Sequence, residues 1–292
     1  MKLACADFAW PLLPHADVLR LIRMLEIDAL DLGVFAGRSH IRPVIVRQDI
    51  PLWAGVLRER ISQVGLELAD VFVQNALDFE TLAPNHPDAA QRDESLALFL
   101  DMLELARRLG APGMTVLPGV RFGDEPWDAA IDRSAEALKR RVDAAAAHGI
   151  VVSVEGHVGS HVDTPEKLAR LLERTPGLKL TLDYTHFSYV GIPDAEIEPL
   201  VPYARHVQGR GARKGRLQTR FQDNAIDYGR LLRRLQETGY AGYFAIEYVW
   251  TDWQGLNESE NVCETILMRD FVRATLAGQQ YTPPAARVET LP

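Results

Sequence analysis

The chain alternates short, almost wholly apolar runs with longer segments in which apolar residues recur every three or four positions. Apolar runs of four to eight residues are typical of buried strands, and the longer spacing is typical of helices that bury one face. The first such pair is a strand over residues 3–10 and a helix that places Val18, Leu21 and Ile22 on one side. The pattern therefore predicts strands and helices in strict alternation.

Eight strands are predicted in this way along the chain, at residues 3–10, 29–35, 66–74, 113–118, 150–156, 178–184, 206–209 and 243–249. The helices predicted after the first cover residues 51–64, 96–109, 127–148, 165–174, a short segment from 194, 228–235 and 261–276. Thr164 is a good N-cap, and Gly65, Gly110 and Gly149 are good helix stops.

Eight strand–helix pairs predict an α/β fold, a closed (β/α)8 TIM barrel, as a single domain over residues 1–278. Residues 279–292 are polar and proline-rich, and we expect them to form a loose C-terminal tail. The alternative is an open doubly wound sheet, which usually carries a glycine-rich phosphate loop after its first strand. The residues after the first strand here, WPLLPHAD, contain no such loop.

Composition narrows the classes of partner. The chain has 292 residues, of which 47% are hydrophobic, and a formal charge of −8. An acidic surface argues against a nucleic-acid partner. No apolar stretch approaches the roughly 20 residues of a membrane span, and no signal peptide is apparent. Cys5 and Cys263 are far apart and are expected to be reduced thiols, so we predict a cytoplasmic protein without a membrane partner.

Three carboxylates stand at the ends of predicted strands. Glu155 ends the fifth strand, Asp183 the sixth and Glu247 the eighth, where the active sites of such barrels lie. One carboxylate in such a place is more often a helix cap or part of a surface salt bridge, but three at matching positions favour a shared site. They would repel one another without a cation, and oxygen ligands suit Mg²⁺ or Mn²⁺. His206 and Gln208 share one face of the seventh strand.

Other side chains near strand ends are candidates for substrate binding. His157 shares a face with Glu155, and Arg210 and Arg213 follow the seventh strand, although that basic run is equally consistent with a solvated loop. The aromatic candidates at strand ends, where rings can pack on a sugar, are Trp10, Phe35, Trp250 and Trp253. For Phe35, core packing is at least as good an interpretation.

Four motifs carry a resemblance to a known family: VEGH (154–157), LDYTH (182–186), RHVQGR (205–210) and IEYVW (246–250). Through them nearly the whole chain resembles the xylose isomerase-like barrels of sugar isomerases and epimerases, which include hydroxypyruvate isomerases, inosose dehydratases and ketose 3-epimerases. The resemblance implies one divalent metal held by Glu155, Asp183, Glu247 and a residue of the seventh strand. It also implies that Glu155 and Glu247 form the proton-transfer pair and that His186 contacts the substrate.

The seventh strand departs from the family pattern. Many members have His-x-His there, with the second histidine as ligand, whereas this chain has His206-Val207-Gln208. The register favours Gln208 as the ligand through its side-chain carbonyl, and His206 is the alternative, otherwise a substrate contact. An all-oxygen site favours Mn²⁺ or Mg²⁺, with Co²⁺ or Zn²⁺ as further candidates.

The resemblance implies a metal-dependent sugar isomerase or epimerase that removes a proton next to a carbonyl and passes through a metal-stabilised enediolate. A lyase or dehydratase acting on a keto-sugar or 3-keto-glycoside is the alternative, because the first step is the same. Two remoter hypotheses are an endonuclease IV-like DNA repair enzyme, which the charge disfavours, and a barrel that binds a ligand without catalysis. The expected partner is a small sugar or keto-sugar, and a homo-oligomer is compatible with the family.

Overall fold

The computed structural model describes residues 1–284, and in it eight parallel strands close into a barrel in chain order. The strands are β1 (Lys2–Ala6), β2 (Ala29–Phe35), β3 (Glu67–Gln74), β4 (Gly113–Val116), β5 (Val151–Glu155), β6 (Lys179–Asp183), β7 (Ala204–Gly209) and β8 (Tyr243–Ile246). The predicted TIM barrel is therefore confirmed. The part of the predicted tail beyond residue 284 lies outside the described residues.

Helices surround the barrel and follow its strands. They are α1 (His15–Met24), α2 (Pro43–Val46), α3 (Ile50–Val64), α4 (Ala89–Leu109), α5 (Trp127–Ala146), α6 (Pro165–Arg174), α7 (Tyr184–Val190), α8 (Asp194–Ile197), α9 (Tyr228–Glu237) and α10 (Asn261–Leu276). Thr164 caps α6 as predicted, with its hydroxyl accepting from the Lys167 backbone N–H. Among residues 1–284, no helix combines the length and apolar composition that a bilayer crossing needs.

The structure differs from the predicted elements at two places near the barrel mouth, the end of the first strand and the segment after the sixth. The first strand stops at Ala6, because residues Asp7–Ala9 turn into a 3₁₀ helix instead of continuing to Trp10. Helix α7 was not expected at all. It begins at once after β6 because Asp183 is its N-cap, with the carboxylate accepting from the Thr185 backbone N–H at 2.8 Å and from the Thr185 hydroxyl at 2.7 Å.

The main apolar core lies between the outer faces of the strands and the helices. The inside of the barrel is different. One side of its interior is small and is formed by four buried alanines on the adjacent strands β8, β1, β2 and β3, namely Ala4, Ala29, Ala69 and Ala245. Beside the alanines, the interior is polar and holds Asp31, Asp70, Thr115, Ser153, Thr181, Arg205 and His206.

Two β-bulges create this polar interior. The register slips by one residue between β2 and β3, where Ala69 is the extra residue, and again between β6 and β7, where Arg205 is extra. A bulge lets successive residues of one strand address the same side of the sheet. Asp70 therefore reaches inward beside Ala69, and its carboxylate lies 2.6 Å from Nη2 of Arg205.

The second cross-barrel pair joins β2 to β7, with Nε2 of His206 2.7 Å from Oδ2 of Asp31. Room for Arg205 comes from β4, where a Cβ on Gly113 would stand 2.4 Å from Nη1 of that arginine. The interior of the barrel is thus crossed by the Asp70–Arg205 ion pair and the Asp31–His206 contact, and the site described next lies on the mouth side of the second.

Candidate active site

Three carboxylates from neighbouring strands meet at the C-terminal mouth of the barrel. Glu155 and Asp183 are the last residues of β5 and β6, and Glu247 directly follows β8. Oxygen atoms of all three lie within 4.8 Å of one another, and all three side chains are buried. Carboxylates so close in a medium of low dielectric constant repel each other, and a cation between them relieves the repulsion.

One cation belongs to the chain itself. The Arg210 guanidinium is buried, with Nη1 2.9 Å from Oε2 of Glu247 and Nη2 3.6 Å from Oδ2 of Asp183. Nη1 also donates to the backbone carbonyl of Glu247 at 3.2 Å. When all three carboxylates are ionised, the one guanidinium leaves two negative charges uncompensated within the cluster.

Gln208 lies directly beside Asp183 in the register of β6 and β7. Its Nε2 donates to Oδ2 of Asp31 at 3.4 Å, and the same carboxylate oxygen is bonded to His206. This hydrogen bond to Asp31 fixes which way the Gln208 amide is turned. The Oε1 of Gln208 accepts no hydrogen bond from the described residues. Asp31 and His206 lie one step deeper in the barrel than the carboxylate cluster.

Two histidines cover the cluster from the pocket side. Nδ1 of His186 accepts the Val158 backbone N–H at 3.2 Å, so Nε2 carries the proton of the neutral ring, and it lies 3.4 Å from Asp183 and 3.6 Å from Glu155. Nδ1 of His157 donates to the Val158 carbonyl at 2.6 Å, which leaves its Nε2 as an acceptor. The centroids of the His157 and His186 rings are 4.1 Å apart.

Burial shifts the titration of these groups. Burial and the charge of Asp183 raise the pKa of Glu155 to about 8, and burial raises the pKa of Glu247 well above its usual value, against the charge of Arg210. Burial also lowers the pKa of His186 to about 4, so this ring is neutral at pH 7. A carboxylate that titrates near neutral pH suits general acid–base chemistry, and a bound cation would favour its ionised form.

The pocket above the cluster encloses about 580 Å³ including its open mouth. Glu155, His186, Arg210 and Glu247 line one side, the side of β5 to β8. The opposite side is aromatic and comes from the first three strands and their loops, with Phe8 4.7 Å and Phe72 5.1 Å from Phe35 between ring centroids. A pocket with one polar and one aromatic wall is suited to a ligand that has a polar and an apolar face.

The predicted substrate contacts divide into two groups. His157, His186, Arg210, Trp250, Phe35 and Trp253 line the pocket, and the ring of Trp253 stacks on His157 at 5.4 Å. Three others lie elsewhere: Trp10 lines a separate cavity, Arg213 is exposed on the loop after β7, and His206 is bonded to Asp31 inside the barrel.

Sequence reasoning missed several residues of the site. Phe8, Phe72, Gln74 and Phe79 line the pocket but looked like ordinary strand or loop residues. Asp31 had a usable signal, because it is a charged residue inside the apolar run ALDLGVF, where burial demands a partner.

The donor set fits a divalent cation. Oε2 of Glu155 and Oε1 of Gln208 are buried oxygens without a hydrogen-bond partner in residues 1–284, and the ionised cluster would have two negative charges beyond the one that Arg210 balances. Carboxylate and amide oxygens are the ligands that Mg²⁺ and Mn²⁺ prefer. Glu155, His157 and His186 form a second group with ligand atoms within 4.8 Å, but His186 turns a protonated Nε2 toward it.

The comparisons with known proteins agree with this fold. The model of the family described as xylose isomerase-like TIM barrel matches residues 21–268. A curated inosose dehydratase of Geobacillus thermodenitrificans (strain NG80-2) is 27% identical over 147 residues, which are 43% of this chain and 48% of the relative, so the match spans about half of that protein.

Two solved structures have the same fold. An L-ribulose 3-epimerase superposes with a TM-score of 0.75 at 18% identity, covering 95% of each chain. A xylose isomerase-like TIM barrel protein from Mycobacterium smegmatis, in complex with magnesium, superposes with a TM-score of 0.71 at 17% identity, covering 95% of this chain and 97% of the other. At these identities, the similarity demonstrates a common barrel.

Proposed function

We propose that this chain, which belongs to the xylose isomerase-like TIM barrel family, is a divalent-metal-dependent sugar isomerase or epimerase that transfers a proton at a carbon next to a carbonyl. The observation that carries the proposal is the convergence of Glu155, Asp183 and Glu247 at the mouth of the barrel, with a charge that one divalent cation balances. The ligands would be these three carboxylates and Oε1 of Gln208, with Mn²⁺ or Mg²⁺ preferred because all donors are oxygen.

The residues of the chain perform the proton chemistry. A bound divalent cation would polarise the substrate carbonyl and stabilise the negative charge that develops on its oxygen. Glu155 and Glu247 come from strands on opposite sides of β6 and β7, so the two carboxylates approach a substrate bound over the cluster from different sides. One glutamate removes the proton and the other returns it, while Nε2–H of His186 and the Arg210 guanidinium donate to substrate oxygens. The aromatic wall excludes water from the opposite face.

A metal-dependent dehydratase is the second candidate. The curated relative that matches this chain over 147 residues is named inosose dehydratase. The first step is the same removal of a proton beside a carbonyl. The two reactions then differ. In a lyase the electron pair left on carbon expels the hydroxyl or the aglycone at the β-carbon, which takes up a proton and leaves as water or an alcohol; in an isomerase a proton returns to the substrate.

The test combines metal loading with proton exchange in D₂O. Protein treated with a chelator should gain thermal stability from Mn²⁺ or Mg²⁺, and the loaded protein should exchange a proton of one member of a panel of ketoses, keto-acids and 3-keto-glycosides. Exchange without release of water or aglycone favours the isomerase, and release favours the lyase. Protein that gains no stability from Mn²⁺, Mg²⁺, Co²⁺ or Zn²⁺ would contradict the proposal.

The proton-transfer roles have their own variants. Glu155→Gln and Glu247→Gln should each lower kcat by about 10²- to 10⁴-fold, the usual contribution of general acid–base catalysis. Glu173→Gln is the matched control, because Glu173 is an exposed glutamate on α6, the helix that follows β5. Near-full activity in either active-site variant would remove that residue from the assignment.

A further inference from the structure

A second cavity lies beside the catalytic pocket, between the loop after β3 and the helices α4 and α5. We call it the side cavity and define it by Asn75, Ser95, Phe99 and Arg141. It encloses about 630 Å³ including its opening. Gln74, Phe79 and His157 line both the side cavity and the catalytic pocket, so the two are neighbours across these side chains.

The side cavity contains a buried charge without a counter-ion. Arg141 is only 4% exposed, and within residues 1–284 no acidic side chain forms an ion pair with it. Asp78 also lines the cavity, but it is exposed and its carboxylate accepts from the backbone N–H groups of Glu80 and Thr81. The charge that acts on Arg141 is that of Arg140, which has the same sign. Burial and this neighbour lower the pKa of Arg141 to about 10, the direction expected for a cation without an anionic partner.

The hydrogen bonds of Arg141 use only some of the N–H donors of its guanidinium. Its Nη1 donates to the Ala137 carbonyl and its Nη2 to the Ser95 hydroxyl, both at 2.9 Å, and a guanidinium has five N–H groups in all. Around it, the Asn75 amide nitrogen lies 3.5 Å from the Ser95 hydroxyl oxygen, and its Oδ1 has no partner among the described residues. The guanidinium also packs 5.5 Å from the centroid of the Phe99 ring.

A purely structural role explains only part of this arrangement. The bond to Ser95 ties α5 to α4, the bond to Ala137 stays within α5, and a neutral donor could make both. A buried charge is costly unless it is paired, and a well-packed apolar residue commonly replaces it without loss. The positive charge therefore points to an anion that is supplied from outside the chain.

We propose that the side cavity binds an anionic group, a carboxylate or a phosphate, carried by the substrate. The fork of the guanidinium matches the paired oxygens of such groups. The Ser95 hydroxyl accepts from Arg141 and Asn75, so its own hydrogen is free to donate to the anion. An extended substrate with its carbonyl over the carboxylate cluster would reach the side cavity past Phe79 and His157. The identity of the carrier rests on the function proposed above, whereas binding of the anion itself does not.

The first experiment measures anion binding without turnover. Inorganic phosphate and acetate are titrated into metal-free protein by calorimetry and thermal shift, so that the carboxylate cluster holds no metal that could bind them. The wild type should bind at least one of the two, and Arg141→Met should weaken that binding by about tenfold or more, the loss expected when a charge-assisted hydrogen bond is removed. Arg140→Met is the matched control, because this exposed arginine is its neighbour on α5.

The stability of the variants separates the two roles. Arg141→Met should melt near the wild-type temperature without anions, since it keeps the aliphatic stem and removes an uncompensated charge. If Arg141→Met does not fold, Arg141→Lys replaces it, and weaker phosphate binding by that variant supports the proposal. Absence of anion binding by the wild type, or binding to Arg141→Met equal to that of the wild type, would overturn it.

A second experiment identifies the carrier. D-Fructose, D-fructose 6-phosphate and D-fructuronate differ in the presence and type of anionic group, and their binding to wild-type and Arg141→Met protein is compared. A preference for the phosphate or the uronate that disappears in Arg141→Met supports a substrate with that group. Equal effects of Arg141→Met on the neutral and anionic sugars contradict it. Arginine-dependent anion binding in a protein that exchanges no substrate proton would leave this inference standing and reject the proposed function.

Discussion

At the scale of single residues, β7 divides two tasks between Gln208 and His206. His206 bonds to Asp31 inside the barrel, and Gln208 stands beside Asp183 with an unbonded Oε1. Asp31 accepts from both side chains, so it fixes the glutamine amide and hence the direction of that oxygen. In metal sites, such outer partners are often as important as the ligands they orient.

Asp31→Ala should therefore weaken binding of Mn²⁺ by about 10- to 100-fold, because Gln208 loses the partner that orients it. Isothermal titration of metal-free protein measures the effect. Asp28→Ala is the control, since Asp28 is an exposed carboxylate just before β2. Unchanged Mn²⁺ affinity in a folded Asp31→Ala variant would show that Asp31 does not act through Gln208.

The sequence predicted Glu155, Asp183 and Glu247 because each is a charged residue at the end of an apolar run. It could not predict Arg141 as a site residue. Arg141 sits among arginines and lysines on α5, in the segment LKRRVD, where its position on the buried side is not apparent from residue type. The partnership of His206 with Asp31 was equally hidden, because it depends on contacts across the barrel.

At the scale of elements, the loop between β5 and α6 is anchored by His161. Its Nδ1 donates to the Gly119 carbonyl at 2.9 Å, its Nε2 lies 3.1 Å from the Ser134 hydroxyl oxygen, and its own carbonyl accepts from the Trp127 indole at 2.8 Å. The ring is buried, and burial lowers its pKa. This loop carries His157 into the pocket, so its anchorage helps to position the site.

The lowered pKa of His161 predicts a loss of stability in mild acid. The unfolded chain takes up the proton near pH 6.5 and the folded protein only at lower pH, so unfolding gains protons and stability falls as pH decreases below about 6.5. His161→Gln should reduce the slope of unfolding free energy against pH between 6.5 and 4.5, by at most about 1.4 kcal/mol per pH unit.

Urea unfolding at a series of pH values measures that slope. The buried His157 and His186 also have lowered pKa values and contribute in the same direction, so the slope should be reduced and not abolished. His148→Gln, at an exposed histidine just after α5, is the comparison variant. A slope in His161→Gln as steep as in the wild type would refute the assignment.

Most element boundaries followed from local signals. Helix α10 has the predicted bounds, and α6 begins at the predicted cap, because caps and glycine stops are encoded within a few residues. Helix α7 is not apparent from the sequence, because its N-cap, Asp183, is also the residue to which the resemblance gives the role of a metal ligand. In the structure the Asp183 carboxylate caps α7, and we propose that it also binds the metal.

At the scale of the whole molecule, the barrel depends on ion pairs that cross its interior. Asp70 and Arg205 belong to β3 and β7, which are four strands apart in a ring of eight and thus on opposite sides. Asp70 is fully buried and Arg205 is mostly buried, and Thr115 and Ser153 hydrogen-bond to the pair. The eight strands were predictable from apolar periodicity, but the bulges that bring this pair inward were not, since a one-residue slip leaves no mark in the pattern of either strand.

Removing one member of the pair should be costly. Asp70→Leu or Arg205→Met alone is expected to destabilise by about 3–5 kcal/mol, because the other charge stays buried and unpaired. The double variant should lose less than the sum of the two. Urea denaturation of all four proteins gives the coupling energy, and Glu67→Gln, which breaks the exposed pair with Lys2, should cost under about 1 kcal/mol. Strictly additive losses would contradict a cross-barrel coupling.

The bulges also bear on how this barrel can be divided. Both interior acids, Asp31 and Asp70, belong to the half formed by β1 to β4, and their partners, Arg205 and His206, belong to the half formed by β5 to β8. A chain cut at Gly149, between the halves, would give one fragment with unmatched acids and another with unmatched bases. Each fragment alone would then lack the partners of its interior polar side chains, and the other fragment would supply them. Reassembly of the two fragments would therefore be directed by charge as well as by shape.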